Sequence, residues 1–284
     1  MSSPLRERLT VFREKAAAQG LSTDEVRRWA ELPRPCARLV PGGAGPVVGE
    51  FGGPLLLPPD FPNPAHPYVA AIDLAALPAG ITDLPLPTDG RLLLFVFPEE
   101  EGCYGDIGSA VYVPAGTPVA ERDKDYSWYS TVEDYQEQID GFPEGPLHAT
   151  ADLSLPHFCE EGYPADLRWE PGWPPHSEEV LELLRDVREA QTDWGSLQLG
   201  GFAAEEVVDL DAPLEGVVHE AGAAAAKGKV DFAVSEDTAD WVLLADWQVD
   251  IDGWEGCSVH WAMQRQDLED QRFDRVFVTK YWNP

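Results

Sequence analysis

The chain has 284 residues, of which 44% are hydrophobic and 10% aromatic, and this is enough apolar material for a large core. Disorder as the dominant state is therefore excluded. The 20 basic and 51 acidic residues give a formal net charge of −31, which argues against binding to nucleic acid or to anionic membrane surfaces. The same charge permits electrostatic attraction of a basic partner.

The first 32 residues predict two amphipathic helices. The first helix has one apolar face at helical spacing, formed by Leu5, Leu9, Phe12 and Ala16. Ser22 and Glu25 form a capping box that begins the second helix, and Pro33 ends it. Because a short helical pair is marginal on its own, we expect an N-terminal helical segment, residues 1–40, to pack on a body formed by residues 41–284.

The middle of the chain predicts an ordered loop followed by buried strands. Residues 41–87 are dense in proline and glycine, which both helices and central strands exclude. Residues 91–97 follow the turn residues Asp89 and Gly90 and predict a buried strand, with residues 109–113 as its neighbour. Residues 115–145 are polar, aromatic and acidic and carry no assignment.

The last third predicts helices followed by strands. Ser177 caps a helix that continues to Val187, and an alanine-rich helix is expected over residues 213–226. Strands are expected at residues 241–249, 258–263 and 276–281, with a short helical turn near residues 267–273. Strands and helices do not alternate strictly, so the pattern favours an α+β fold, with a mainly antiparallel sheet and peripheral helices.

The same order of features occurs twice in the chain. A glycine pair, a short apolar run, a second glycine and an aromatic strand occur from Gly52 to Phe95 and again from Gly200 to Trp261. This order predicts two related β units, an internal duplication, at about residues 49–155 and 195–284, packed together on a shared apolar face. The alternative is that a glycine-rich chain produces such an order by chance.

These segments resemble the YwqG-like family, a bacterial domain of unknown function, from about residue 45 to the end. The matching segments are Gly52–Pro54 with Leu57–Pro58, Ile72–Leu74 with Leu77–Pro78, Leu84–Pro85, Gly90–Phe95, Leu199–Phe202, Leu243–Leu244, Trp254–Trp261, Asp267–Leu268 and Arg272–Phe273. The resemblance implies an α+β fold with two related β units and offers no established catalytic residues. A structural role is assigned to the motif residues Gly52, Gly53, Pro54, Gly90, Gly200, Gly201 and Gly256. In the family pattern a glutamine often follows the apolar run, where this chain has Ala71 and Asp246.

The N-terminus and the cysteines favour a cytoplasmic location. The chain starts with charged residues, and no stretch approaches the roughly 18 consecutive apolar residues of a membrane helix. The cysteines are scattered, without a Cys-x-x-Cys pair, and are expected to be reduced. We therefore expect no contact with a membrane.

No metal or cofactor is predicted. Asp250, Asp252 and Glu255 suggest a calcium loop, but the glycine and ligand positions do not fit an EF-hand, so a turn explains them better. The pairs His157–Cys159 and Cys257–His260 lack the spacing of a zinc site. Neither a phosphate-binding loop nor a dinucleotide fingerprint is present in the sequence.

The aromatic residues divide into a core set and a loop set. Trp241, Trp247 and Trp261 fall on predicted strands and are expected in the core. Five others lie in irregular polar segments and are candidate interface anchors, because large rings bury much area at little rotamer cost. They are Tyr126, Trp128, Tyr129, Trp169 and Trp173.

These observations leave three functional hypotheses. The first is a non-enzymatic acidic module that binds a basic protein, for example an immunity or regulatory protein. The second is a hydrolase that uses carboxylates with His157 or His260 in a cleft between the two β units. The third is that the acidity serves only solubility.

Overall fold

One antiparallel sheet of ten strands organises the molecule. The structure, a computed structural model, describes residues 1–97, 107–124, 139–156, 178–188, 195–203 and 213–282. Helices cover the outside of this sheet, and a separate two-stranded sheet flanks it. The mixture of helices with a mostly antiparallel sheet confirms the predicted α+β class.

The elements are numbered here in chain order. The helices within the described ranges are α1 (Ser3–Ala18), α2 (Thr23–Glu31), α3 (Glu178–Arg185), α4 (Glu215–Ala226) and α5 (Arg265–Glu269). The strands are β1 (Arg34–Pro41), β2 (Val47–Phe51), β3 (Leu55–Leu57), β4 (Tyr68–Asp73), β5 (Arg91–Val96), β6 (Gly108–Val113), β7 (Ala120–Arg122), β8 (Gly145–Ser154), β9 (Leu197–Leu199), β10 (Trp241–Gln248), β11 (Cys257–Gln264) and β12 (Phe277–Trp282). Short 3-10 turns occur at Leu74–Ala76, Thr238–Asp240 and Phe273–Arg275.

The sheet curls into a nearly closed barrel. Its strand order is β12-β11-β10-β9-β1-β8-β2-β4-β5-β6, so β12 and β6 form the two edges. The edges approach each other, because a Cβ added to Gly108 of β6 would lie 2.9 Å from a methyl of Val278 of β12. The Trp261 indole N–H of β11 also donates to the carbonyl oxygen of Ser109 at 3.1 Å. We call the gap between β6 and β12 the seam.

Alternate residues of each strand fill the inside of the barrel. Leu92, Leu94 and Val96 of β5 are buried there, as the period of two in a strand requires. Trp247 is fully buried and packs on Phe51, with ring centroids 6.0 Å apart. Trp241 and Trp261 are buried too, which confirms the prediction that these three tryptophans belong to the core.

Two helical layers cover the outer face of the sheet. Helices α1, α2 and α3 share an apolar cluster with Leu153 and Leu155 at the end of β8. Helix α1 contributes the four residues of its predicted apolar face. Helix α4 packs on Trp241, Leu243 and Phe277 of the opposite end of the sheet. The outer face between these layers carries polar residues.

The two halves of the chain join through a central strand pair, which the sequence did not predict. β1 and β8 lie in the middle of the sheet, with β9 to β12 on one side and β2, β4, β5 and β6 on the other. The halves therefore form one continuous sheet rather than two packed units. A common origin of the halves is not shown by this order and stays a prediction.

Strands also occupy segments expected to be helical or looped. β1 lies at the end of the segment expected to be helical, and β2 and β4 lie within the predicted loop. β9 pairs only with Ala37–Leu39 of β1. Pro35 and Pro41 lie beyond this pairing, where no described strand lies on the β9 side of β1, so their missing N–H groups interrupt no ladder there.

Candidate functional site

A row of polar residues crosses the outer face of the sheet. Cross-strand pairing places these residues side by side on neighbouring strands: Thr279 of β12, His260 of β11, Asp246 of β10, Gln198 of β9 and Arg38 of β1. We call this set the outer polar row. Each member is at most 7% exposed. Buried polar groups are costly unless they are hydrogen-bonded, so this row is a candidate for a functional role.

A β-bulge brings Asp246 into the outer polar row. Val242 and Leu244 point into the barrel, and strict alternation would send residue 246 inward as well. The register of β10 shifts between Leu243 and Ala245, so that Ala245 and Trp247 point inward instead. Asp246 consequently faces outward, opposite His260.

Asp246, His260 and Ser258 form a carboxylate–imidazole–hydroxyl series. The Asp246 Oδ1 atom lies 3.6 Å from Nδ1 of His260, beyond hydrogen-bond distance. On the other side of the ring, Nε2 of His260 lies 3.3 Å from Oγ of Ser258. The Gln248 side-chain N–H donates to Asp246 Oδ1 at 3.2 Å. This order of groups is that of the acyl-transfer triad.

Burial decides what this series can do. Ser258 and His260 are fully buried and Asp246 is 2% exposed, so a substrate has no access to the hydroxyl in this conformation. Loss of solvent lowers the pKa of His260, and the nearby Asp246 carboxylate opposes that effect. The imidazole is therefore neutral at pH 7, as a general base must be, but it is enclosed.

Some polar atoms of this face have no hydrogen-bond partner within the described residues. They are Nδ1 of His260, Oγ1 of Thr279 and Oγ of Ser196, which lies beside β10 at the start of β9. Each such buried polar atom costs roughly 1–3 kcal/mol. These atoms lie on three different strands and do not define the shape of one ligand.

The other members of the row have structural partners. Gln198 donates from Nε2 to the carbonyl oxygens of Gly200 at 2.7 Å and Phe202 at 2.9 Å, which holds the chain reversal after β9. Arg38 lies 3.6 Å from the buried carboxylate of Asp152, which also pairs with Arg8 of α1 at 3.0 Å. This half of the row therefore joins the sheet to its loops and helices.

A groove of about 720 Å³ lies at the seam. Its floor is Gly108–Tyr112, and its walls are Phe61–His66 and Gly228–Phe232. Side chains alternate between the two faces of a strand, so a groove lined by five consecutive residues runs along the strand's edge. We call it the seam groove. Its volume lies in the range of ligand-binding sites.

The seam groove is apolar inside and charged at its rim. Phe61, Phe232 and Phe273 line it, and they are partly or fully buried. The charged residues that line it are Asp231, Asp274 and Lys229, and all three are exposed. Both acids therefore remain available to a ligand in solvent.

A second concavity, of about 430 Å³, lies beside α5. Its charged groups neutralise one another: the buried Asp267 carboxylate pairs with Arg272 at 2.7 Å and with Arg275 at 3.1 Å. This arrangement fixes the turn after α5 and leaves no excess of either charge.

The predicted binding residues fall outside the described ranges. They are Tyr126, Trp128, Tyr129, Trp169 and Trp173, together with His157 and Cys159 of the first possible metal pair. The role of the five aromatic residues as interface anchors stays a prediction.

The structure shows the positions of the remaining candidate residues. Asp250, Asp252 and Glu255 are exposed in the connection between β10 and β11. Cys257 points into the barrel, whereas His260 points outward, so these two cannot converge on one metal ion. The motif glycines Gly52, Gly53, Gly90, Gly200, Gly201 and Gly256 all have positive φ. In the described part of the chain, no three His, Cys, Asp or Glu side chains gather as a metal site.

The sequence pattern did not indicate Gln198, Asp152 or the seam groove. The signal for Asp152 was the alternation of small apolar and polar residues along β8. Gln198 lies on a strand of three residues, too short for any periodicity. The groove depends on how the two edges of the sheet approach each other, which no local pattern encodes.

Together these features define, over the described residues, an α+β protein built on a nearly closed antiparallel barrel. Residues 49–281 match a family described as a domain of unknown function, DUF1963, so the chain belongs to that family. The narrower YwqG-like resemblance stays a prediction. A search of curated proteins finds no match. Within the described ranges, no helix combines the length and apolarity needed to cross a bilayer.

Proposed function

We propose that this chain is a non-enzymatic module that binds a basic protein partner at the seam groove. The observation that carries the proposal is a ligand-sized groove along β6 whose rim carries two exposed carboxylates, Asp231 and Asp274, beside the exposed Lys229. The proposal places the chain in the cytoplasm and includes the version in which it is an immunity or regulatory protein.

The overall charge supports a basic partner. With a net charge of −31, the chain attracts cationic surfaces over about a Debye length, near 8 Å at physiological salt. Many of its basic side chains are already held by acids, among them Arg8, Lys15, Arg27, Arg272 and Arg275. The acidic excess therefore determines what the surface attracts.

Capture from a native lysate, compared at low and high salt, tests the proposal. We expect the wild-type chain to retain a basic protein at low salt and to release it at high salt. The double variant Asp231→Lys/Asp274→Lys reverses the rim charge and should lose that protein. The double variant Asp83→Lys/Asp252→Lys changes the net charge equally at exposed sites away from the groove and should retain it.

Two outcomes would contradict the proposal. If no protein is retained at low salt, the acidity serves only solubility. If both double variants lose the partner equally, the attraction depends on net charge alone and the groove has no part in it.

The second candidate function is a hydrolase, and the Ser258–His260–Asp246 series favours it. His260 is the relevant histidine here, since His157 lies outside the described residues. The enclosure of Ser258 argues against this candidate, because a nucleophile must reach its substrate. A fluorophosphonate probe separates the two functions. A binding module remains unlabelled, whereas labelling that disappears in Ser258→Ala would establish the hydrolase.

A further inference from the structure

We infer that Gln264 and Asp267 are positioning residues of the seam groove. Together they hold the two chain segments that carry its rim carboxylates, Asp231 and Asp274, in one arrangement. This inference rests on the proposed function and states what gives the rim its shape. Neither positioning side chain lines the groove, so each acts through the segment that it holds.

Gln264 holds the segment that carries Asp231. Its side-chain N–H donates to the carbonyl oxygen of Ala233 at 2.8 Å, and its side-chain oxygen accepts the Ser235 N–H at 2.9 Å. The carbonyl oxygen of Ser235 in turn accepts the indole N–H of Trp241 at 3.0 Å. The chain is therefore held from the second residue after Asp231 onward.

Asp267 holds the segment that carries Phe273 and Asp274. Its buried carboxylate pairs with Arg272 at 2.7 Å and with Arg275 at 3.1 Å, on either side of these two groove residues. The Arg272 N–H also donates to the backbone carbonyl oxygen of Asp267 at 2.8 Å. Both ends of the segment thus contact one buried charge, which salt screens much less than an exposed one.

Backbone strain at the start of this segment shows that it needs such support. Gln271 lines the groove and has φ of +58°, in the left-handed region that residues other than glycine rarely adopt. Strain of this kind persists only where the surrounding contacts enforce it. The next residue, Arg272, supplies such contacts, because it pairs with Asp267 and with Asp270, each at 2.7 Å.

One further hydrogen bond connects the two segments. The Nε2 atom of Gln264, which bonds to Ala233, also donates to Oδ2 of Asp267 at 3.2 Å. A primary amide offers two donor hydrogens and one acceptor oxygen, so the side chain of Gln264 uses all three kinds of bond that it can form here. A rim that is ordered before the ligand arrives lowers the entropic cost of binding.

Amide hydrogen exchange of the full chain tests this connection without a ligand. Gln264→Ala removes the acceptor of the Ser235 amide and should speed its exchange about tenfold. The Arg272 amide has no contact with Gln264 itself, and it should exchange about threefold faster because the effect passes through Asp267. Gln266→Ala makes the same change at an exposed position of α5 and should exchange as wild type at both amides.

The reverse substitution tests the connection from the other side. Asp267→Ala should speed exchange of the Ser235 amide about threefold, whereas Glu269→Ala, at an exposed position of the same helix, should leave it unchanged. If Asp267→Ala does not fold, the two amides of Gln264→Ala decide alone.

A double-mutant cycle tests the role in binding, with the protein retained from the lysate as the probe. Calorimetry should show that Gln264→Ala binds it about fivefold more weakly than wild type, since a loosened rim must be ordered on binding. In the background Asp231→Asn/Asp274→Asn the same substitution should have no further effect, because a positioning residue acts only through the groups that it positions. A residue that merely stabilises the fold would weaken binding equally in both backgrounds.

The outcomes separate this inference from the proposed function. Unchanged exchange at Ser235 and Arg272 in Gln264→Ala, or an equal loss of affinity with and without the rim carboxylates, would overturn the positioning role while capture of a basic protein still stands. Failure of the wild-type chain to retain any protein would overturn the proposed function itself, whatever the exchange rates of the variants.

Discussion

Asp152 illustrates how a single buried charge organises this protein. Its carboxylate is fully buried beneath α1, where it pairs with Arg8 at 3.0 Å and lies 3.6 Å from Arg38. A second ion pair also attaches α1, between Lys15 and Asp186 at 3.3 Å, but both of these side chains are exposed. The two pairs connect the same helix to the rest of the chain in different environments.

Removing the two carboxylates should therefore have unequal effects. Asp152→Ala removes the buried carboxylate that faces Arg8 and Arg38 and should reduce the free energy of unfolding by about 3–5 kcal/mol. Asp186→Ala breaks an exposed pair and should cost less than about 1 kcal/mol. Urea unfolding of both variants measures the difference, and equal losses would show that burial of Asp152 is not the cause.

Burial of His260 makes the stability of the fold depend on pH. Burial lowers its pKa from the ordinary value of 6.5, so the folded state favours the neutral ring. The unfolded chain takes up a proton near pH 6.5, and stability is lost as the pH falls from there through the lowered pKa of the folded state. Above that range the contribution is fully present.

Replacing this ring should flatten the pH dependence of stability. Between pH 7.5 and pH 5.5 we expect the wild-type chain to lose more stability than His260→Gln, with an upper limit of about 1.4 kcal/mol for each pH unit below the unfolded pKa. His219 is exposed on α4, so His219→Gln should behave as wild type. Chemical unfolding at both pH values measures the free energy of unfolding of the three proteins. The same pH dependence in all three would show that His260 is not the group responsible.

At the scale of elements, the turn after β9 depends on space as well as on backbone conformation. Gly201 has φ of +80°, and a Cβ there would lie 2.5 Å from Cβ of Ser154. Gly116 has nearly the same φ, +76°, but no heavy atom lies within 4 Å of its added Cβ. A comparison of the same substitution at these two glycines therefore separates the cost of backbone strain from the cost of steric crowding.

Alanine at these two positions measures the crowding directly. Gly116→Ala should cost about 1–2 kcal/mol through its left-handed conformation alone. Gly201→Ala adds displacement of β8 and should cost a further 1–3 kcal/mol or so. Thermal unfolding gives both values; equal costs would mean that Ser154 moves aside freely.

The elements that the sequence predicted are those with strong local periodicity. Strands β5, β10 and β11 and helix α1 have long apolar patterns and were predicted close to their observed bounds. β1 and β9 were missed because one contains prolines and the other has three residues, so that pairing partners rather than propensity determine them. The sequence also singled out Asp246 and His260 separately. Their contact depends on a bulge in β10 that no pattern of apolar residues indicates.

At the scale of the whole molecule, the dominant property is a charge of −31 carried on one nearly closed barrel. Like charges repel across the folded surface and are farther apart in the unfolded chain, so the repulsion opposes folding. Added salt screens it, because the Debye length falls from about 30 Å at 0.01 M to about 8 Å at 0.15 M. Salt also weakens attractive pairs, but acids outnumber bases by 51 to 20, so repulsion dominates.

Sodium chloride should therefore raise the unfolding temperature. Between about 0.01 M and 0.15 M we expect an increase of several degrees, given that 1 kcal/mol corresponds to about 2–4 °C for a domain of this size. Asp83→Lys/Asp252→Lys relieves four units of charge at exposed sites and should unfold at a higher temperature than wild type at low salt, with a smaller difference at high salt. Calorimetry in sodium chloride and in potassium chloride excludes an effect of one particular cation. An unfolding temperature that falls with salt would mean that the ion pairs of this chain outweigh its net charge, and the electrostatic basis for attracting a basic partner would be correspondingly weaker.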